Sequence, residues 1–366
     1  MPTVADVITV LERFAPSSLA ATWDNVGLLL GDRNVNVERV LTCLTLTQEV
    51  ADEAVADGAQ MIVSHHPILF RGVKRLTTDS TDGRGVLTLA KVSIAVYSPH
   101  TGFDDCPGGI NDQLASMMGL TNVKPLRPGG HEECKFVVFV PEADLAKVLD
   151  AIFAAGAGVI GQYRECSYRL KGTGTFFGGD ATNPTVGQKG RREEVGEWRL
   201  EAICPRNGVE AVVAAVRGAH SYEEPAFDVY PLIPAGRKSG SGRIGVLAQS
   251  RLLGEVAASL RSSLKCGPVQ MVGDAKRLIT KVAIACGAAG EFLDDARSAG
   301  ADVFLTGEMR FHDYLAAQAA KIALILPGHY ATERFAVEWL AEWLPKQLPS
   351  LTAKASRADR DPIDWI

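Results

Sequence analysis

This chain lacks the signatures of several protein classes. Its seven cysteines (Cys43, Cys106, Cys134, Cys166, Cys204, Cys266 and Cys286) are scattered and odd in number, with no C-x-x-C pair. That spacing speaks against a disulfide scaffold and for reduced thiols, as in a cytoplasmic protein. An excess of positive charge is also missing: 38 Lys and Arg stand against 43 Asp and Glu, for a net charge of -5. The one conspicuous basic pair, Arg191-Arg192, is followed at once by Glu193-Glu194. No basic field exists to draw in nucleic acid, and no nucleic-acid partner is expected. No apolar run approaches the roughly 20 residues that a membrane span needs, so no membrane partner is expected either. Met1 to Phe14 carries Asp6 and Glu12 inside a helical pattern and has no basic or long apolar leader region, so no signal peptide is expected. Gly108-Gly109 lacks phosphate-loop spacing and a following Lys, and reads as a turn.

A length of 366 residues allows two or three domains, and 46% hydrophobic with 22% charged residues is ordinary for a globular protein. Val4, Val7, Ile8, Leu11 and Phe14 recur at helical spacing up to Pro16. Trp23 to Gly31 reads as a loop entering a short strand. Val40 to Leu46 is a β-branched strand, Gln48 to Asp57 a helix ended by Gly58, and Met61 to Val63 the next strand. This rhythm predicts a parallel or mixed sheet with helices on its faces. Pro125 to Gly130 reads as a linker. Beyond it the order changes to strand (Phe136 to Val140), helix (Glu142 to Ala155), strand from Gly172, strand (Trp198 to Ile203), helix (Gly208 to Gly218) and strand (Phe227 to Tyr230). That β-α-β-β-α-β order predicts an inserted ferredoxin-like α+β domain. The fold class is therefore α/β, with two related half-domains, 1–131 and 235–366, forming one core around an insert at 132–234. The Gly/Ser/Arg-rich stretch Gly236 to Gly242 leads back into the second half, and the tail from Pro345 reads as peripheral until Trp365-Ile366. His131 reads as a solvated linker residue.

The halves echo each other. Gly58-Ala59-Gln60-Met61-Ile62-Val63-Ser64-His65-His66 matches Gly300-Ala301-Asp302-Val303-Phe304-Leu305-Thr306-Gly307-Glu308 in its Gly, its apolar run and its polar stop. Ile94 to Pro99 is followed by His100-x-x-x-Asp104, and Ile322 to Gly328 by His329-x-x-x-Glu333. If the halves face each other, these strand ends meet in one cleft, where α/β folds place their sites. Imidazole and carboxylate together suit divalent metals.

Each piece also has a plainer reading. Adjacent His65 and His66 would point to opposite faces of a regular strand, and reach one cleft only if the strand stops there, as Pro67 suggests. His329 and Glu333, on an expected helix from Ala331 to Trp343, could form a solvated face. Cys106 is either a soft ligand or a small buried thiol. Glu308 either lines the cleft or serves as a helix-start charge, and His312 lies near the same strand end. His220 with Glu223-Glu224 suggests a structural or interface role ahead of a second metal site.

The motifs Trp23-Asp24-Asn25-x-Gly27-Leu28, Ser64-His65-His66-Pro67, His100-Thr101-x-x-Asp104, Pro107-Gly108-Gly109-x-Asn111-Asp112, Thr306-Gly307-Glu308, His312-Asp313 and Gly328-His329-x-x-x-Glu333 stand out along the chain, and the resemblance that they carry covers essentially the whole of it. In them the sequence resembles the dinuclear-metal-centre hexamer family, the GTP cyclohydrolase 1 type 2 homologues. The resemblance implies that His65, His66, Asp104, His329 and Glu333 ligate two divalent cations (zinc, iron, manganese or cobalt), with Glu333 bridging. It implies a homohexamer and, from Tyr163-Arg164-Glu165-Cys166-Ser167, Gly172 to Phe176 and His220 to Ala226, a PII-like insert. Thr45 departs from the family, where many relatives carry Asp; loss of that group would soften ligand orientation.

Two functions follow. One is metal-dependent hydrolysis of GTP or another nucleotide, with His100, Glu308 and His312 as candidate proton carriers or substrate contacts. The other is a metal-handling or regulatory hexamer gated by the insert, with little catalysis of its own.

Overall fold

The computed structural model describes residues 1–128, 133–232 and 239–364, with side chains at all of them except 81 and 82. The chain divides into two compact units, Met1–Gly129 with Arg237–Ile366, and Gly130–Gly236. His131, the domain limits drawn at 131/132 and 234/235, and Trp365-Ile366 fall outside the described residues, as do residues 236–238 of the stretch Gly236 to Gly242.

The first unit begins with α1 (Val4–Phe14), β1 (Gly27–Leu30), β2 (Arg39–Cys43), α2 (Gln48–Ala56), β3 (Met61–Ser64), α3 (Thr81–Lys91), β4 (Ala95–Ser98), α4 (His100–Asp105), α5 (Ile110–Met117) and β5 (Leu120–Pro128). The second unit holds β6 (Glu133–Pro141), α6 (Leu145–Ala154), β7 (Ser167–Phe177), β8 (Arg192–Pro205), α7 (Val209–Ala219) and β9 (Phe227–Pro231). The first unit resumes with β10 (Gly240–Leu252), α8 (Leu253–Leu264), β11 (Gln270–Val272), β12 (Leu278–Ile284), α9 (Leu293–Ser298), β13 (Val303–Leu305), α10 (Phe311–Ala319), β14 (Ala323–Leu326), α11 (His329–Gln347) and β15 (Thr352–Ala355). Local chemistry sets the first boundary. The Asp6 amide donates to Thr3 Oγ1 at 3.3 Å and the Thr3 amide to the Asp6 carboxylate at 2.8 Å, a reciprocal cap that starts α1.

Two sheets organise the first unit, in the orders β1-β4-β3-β2-β15 and β11-β14-β13-β12-β10-β5. In the first, β2, β3 and β4 run parallel and β1 lies antiparallel to β4. In the second, β12, β13 and β14 run parallel and β11 lies antiparallel to β14. The strand pleat divides the core. Met61, Val63, Ala95 and Tyr97 join Val282, Ile284, Val303, Leu305 and Ile325 in one cluster with the apolar stripes of α1, α5, α8 and α11. Ile62 and Val96 face the other way onto α2 and α3, as Ala283, Phe304 and Leu324 face α9 and α10. The result is two sheets, each helix-covered on both faces, with a shared helical layer between them. Trp339 and Trp343 belong to that layer, both within about 5 Å of the Phe14 ring by centroid (5.2 and 4.9 Å).

Two sequence expectations fail here. Pro125 to Pro128 is not a linker but part of β5, which pairs antiparallel with β10, opposing Pro125 to Arg243 and Pro128 to Gly240. The tail beyond Pro345 is not peripheral: β15 pairs in parallel with β2, Thr352 opposite Arg39 and Ala355 opposite Thr42. The first segment thus donates an edge strand to the second sheet, and the last segment donates one to the first. A division of the core into one half before the insert and one after it is therefore incomplete.

The second unit is a four-stranded antiparallel sheet in the order β7-β8-β6-β9. Phe136, Val138, Val140, Leu200, Ala202 and Cys204 on one face pack with Val148 and Ile152 of α6 and Val212 and Val216 of α7. Strand and helix order is β-α-β-β-α-β, with both helices on that face.

Candidate metal centre

The site forms where the parallel strands of both sheets end. Backbone pairing carries β3 just past Ser64: the His65 amide donates to the Cys43 carbonyl (2.9 Å) and the His66 amide to Leu44 (2.8 Å). The strand then breaks, and Ser64 Oγ donates to the His66 carbonyl at 2.7 Å. Alternation no longer holds, and the two rings come to 5.2 Å by centroid. The two His-x-x-x-carboxylate pairs are positioned alike. His100 and Asp104 lie on α4 directly after β4, and His329 and Glu333 lie in the first turns of α11 just after β14. Spacing of i, i+4 puts each pair on one helix face. α11 starts two residues earlier than the sequence suggests, which brings His329 onto the helix.

Glu333 is the centre. Its Oε2 lies 3.0 Å from His66 Nε2, 3.1 Å from His329 Nε2 and 3.8 Å from His65 Nε2. His65 Nε2 also lies 3.5 Å from Asp104 Oδ1. Three overlapping groups have ligand atoms within 4.8 Å of one another: His65, Asp104 and Glu333; His66, His329 and Glu333; and His65, His66 and His100. Backbone shape allows this crowding. Gly287, at φ +65°, approaches so closely that a Cβ there would meet Glu333 Oε1 at 2.3 Å.

Most of these side chains are held from behind. Thr45 Oγ1 lies 2.7 Å from His66 Nδ1, so this position engages the imidazole through a hydroxyl. Asp24, its side chain buried, lies 2.7 Å from His100 Nδ1 and accepts from Thr101 Oγ1 and from the Thr101 and Asn25 amides. Burial pushes the Asp24 carboxyl up, but these bonds outweigh it and hold its pKa near about 2. His100 sits at φ +29°, backbone that a non-glycine residue rarely adopts. Its Nε2 remains free to face the cleft. Asn111 ties the two sheets together, donating to the Asp104 carbonyl at 3.1 Å and accepting from the Cys286 amide at 2.9 Å. Behind it the buried Arg243 is forked onto Asp112 and donates to the Asp105 and Cys106 carbonyls.

The electrostatics ask for a cation. Burial, reinforced by Glu333 and Asp105, pushes the Asp104 carboxyl well up, whereas the histidines around Glu333 outweigh its burial and hold it low. Burial pulls His329 down, but Glu333 and Glu308 on its two nitrogens reverse this and hold its pKa at about 9. His65 is 1% exposed, and burial keeps its imidazole neutral. Neither of its nitrogens has a hydrogen-bond partner. A buried polar atom left without a partner costs about 1–3 kcal/mol. These residues therefore fit a metal ion: a neutral imidazole with an idle lone pair, surrounded by two carboxylates and further imidazoles.

The remaining predicted residues separate. Glu308 Oε1 is 2.9 Å from His329 Nδ1, so it orients that imidazole and is not a helix-start charge; α10 begins only at Phe311. His312 does not reach the cleft. It stands exposed on α10, its ring 5.8 Å from that of Phe311. Cys106 is a core thiol whose Sγ faces the Phe103 carbonyl. His220 Nε2 faces the Phe139 carbonyl at 2.9 Å and its Nδ1 accepts from the Tyr222 amide at 3.0 Å, so both nitrogens serve the backbone. Cys286 went unnoticed in the sequence; its Sγ lies 3.1 Å from Asp104 Oδ1. Its position two residues beyond the end of the parallel strand β12 was the available signal. The cleft, of about 580 Å³, also has Trp23, Phe70, Arg127, Glu291 and Phe292 on its walls.

A profile of the Duf34/NIF3 (NGG1p interacting factor 3) family matches residues 2–362. The chain belongs to the Duf34/NIF3 family. A Halalkalibacterium halodurans protein named GTP cyclohydrolase 1 type 2 homolog is 38% identical over 365 residues, covering 98% of both proteins. A Bacillus subtilis protein of the same name is 36% identical over 326 residues, covering 89% of this chain and 87% of the relative. Among solved structures, a Bacillus cereus protein related to NIF3 aligns with 100% of this chain and 99% of its own at TM-score 0.68 and 35% identity. A Staphylococcus aureus protein aligns over the same shares at TM-score 0.73 and 29% identity. Among the described residues, no helix is long and apolar enough to cross a membrane.

Proposed function

We propose that this protein holds two divalent cations, one at His65, Asp104 and Glu333 and one at His66, His329 and Glu333, and uses them to hydrolyse a nucleotide-like substrate. The observation that carries the reading is Glu333, whose one oxygen faces His66, His329 and His65 together. Such ions, when bound, would supply an acidified water near neutral pH and polarise a carbonyl or phosphoryl oxygen. Thr45 and Glu308 are positioning residues for His66 and His329. His100, fixed by Asp24, presents a nitrogen that can hold or move a proton at the substrate. The name borne by the relatives makes GTP the first substrate to try. The β-α-β-β-α-β unit supports a PII-like insert, the family membership supports a homohexamer, and the scattered free thiols support a cytoplasmic location.

A second reading, a metal-handling or regulatory assembly, draws support from the charge of the cleft. Asp104, Asp105, Glu291 and Glu333 line it against His329, already engaged by Glu333 and Glu308, and Arg127, which already pairs with Asp295 and stacks on Phe292 at 4.2 Å. A polyphosphate would find little countercharge there apart from metal. Metal-reconstituted protein screened against GTP and a broad nucleotide panel decides between them. Turnover lost on chelation and restored by metal supports hydrolysis; metal-replete protein inert on the whole panel supports the second reading.

A further inference from the structure

The second unit carries a cavity of its own, of about 550 Å³, far larger than a water site and within the range of small-molecule pockets. It opens on the sheet face opposite α6 and α7, because Phe139, Gly174, Phe176 and Glu197 are out of phase with the residues that pack on those helices. The connection from β7 to β8 folds back over this face. Thr185 Oγ1 donates to the Ser221 carbonyl at 2.7 Å and the Asn183 amide to Glu223 at 3.0 Å, so Pro184 and Val186 become a wall. Two motifs that the metal site leaves unexplained, Gly172 to Phe177 and His220 to Ala226, both line it.

The lining has one sign of charge. Phe139, Phe176, Phe177, Pro184 and Val186 supply apolar surface, and Glu197, Glu223 and Glu224 supply carboxylates; no Lys, Arg or His is among the lining residues. Glu197 is built in. A Cβ on Gly174 would meet its Oε2 at 2.3 Å, so the glycine makes the room the carboxylate occupies. Beside it the Tyr222 hydroxyl is shut off from solvent and interacts with Glu197. A half-buried phenol and a half-buried carboxylate among aromatic rings offer acceptors and ring faces to a positive charge on an apolar body.

We propose that this cavity binds a small organic cation, an amine or protonated nitrogen heterocycle with an apolar body, whose charge is received by Glu197 and Tyr222. The site is independent of the metal centre and does not rest on the reading given to it.

Isothermal titration of the full-length protein with benzylammonium, neutral benzyl alcohol and anionic benzoate tests this. Benzylammonium should bind at one site per chain, with an affinity about fivefold or more above that of the alcohol, and benzoate should be weakest. Glu197→Gln should remove the preference for the cation, and Gly174→Ala should weaken binding by displacing Glu197. Circular dichroism would establish that both variants fold. Equal binding of the three probes, absence of binding, or an unaltered preference in folded Glu197→Gln protein overturns the proposal. The three-probe comparison uses the natural sequence and decides the matter even if a variant fails to fold.

Discussion

Thr45 Oγ1 lies 2.7 Å from His66 Nδ1, and through that contact a residue outside the ligand set controls one of its members. A cation held between His66 Nε2 and Glu333, 3.0 Å apart, would need the Nε2 lone pair, which leaves Nδ1–H to donate to the Thr45 hydroxyl. Thr45→Val removes the acceptor at nearly constant volume. Metal affinity, followed by competition with a chromogenic chelator, should fall roughly tenfold, the low end for partners of metal-bound histidines. Thr45→Ser should retain it.

Glu333 faces three imidazoles, so its loss should be felt by both ions. Elemental analysis of Glu333→Gln protein should show both metals depleted. Asp104→Asn should deplete the ion beside His65 more than the ion beside His329. Full metal content in a His65→Ala, Glu333→Ala double variant would overturn the assignment.

The metal-stripped protein should lose stability as the solution becomes alkaline. His329 ordinarily titrates at 6.5 but is held at about 9 here. The folded state therefore binds its proton more tightly than the unfolded chain does. The resulting stabilisation is fully present below about 6.5 and is lost as pH rises through about 9. Chemical denaturation of chelator-treated protein across that window should show the decline, and Glu308→Gln should shrink it. The same proton competes with metal, so apparent metal affinity should fall as pH drops below about 9.

His100 lies close enough to His65 and His66 to serve as a further ligand, yet its Nδ1 is committed to Asp24. His100→Gln should lower turnover of any nucleotide substrate found while leaving metal content near that of the natural protein. Asp24→Asn should act in the same direction by releasing the ring. A fall in metal content in His100→Gln would instead make His100 a ligand.

The second unit encloses its own apolar cluster, built from β6, β8, α6 and α7. A fragment covering about residues 132–234 should be soluble and unfold cooperatively, as read by circular dichroism on heating.

What could be read in the sequence was what short-range pattern encodes. The opening helix, the strand–helix order of both units and the convergence of His and carboxylate residues follow from periodicity and from the repeated strand-end motif, while the choice of five ligands among them is what the family resemblance implies. Long-range partners were not legible. Thr352 to Ala355 is four residues with no distinguishing period, and only β2 makes it a strand. Pro125 and Pro128 signal a linker, but β5 is an edge strand, where a missing amide is tolerated. Asp24 was visible within a motif, but its grip on His100, 76 positions away, is a property of the fold. His312 shares the local character of a site residue and differs only in the direction α10 gives it.

The exchange of edge strands has a temporal consequence. Chains emerge from the ribosome at about 5–20 residues per second, and early domains ordinarily fold before later ones appear. Here β2 leaves the ribosome early, yet the strand that covers its open edge, β15, is made only after the whole second unit and the second sheet. Until then the nascent first sheet carries an uncapped row of amides and carbonyls at β2, a template for pairing with another chain. Synthesis of β15 is thus the event that closes it.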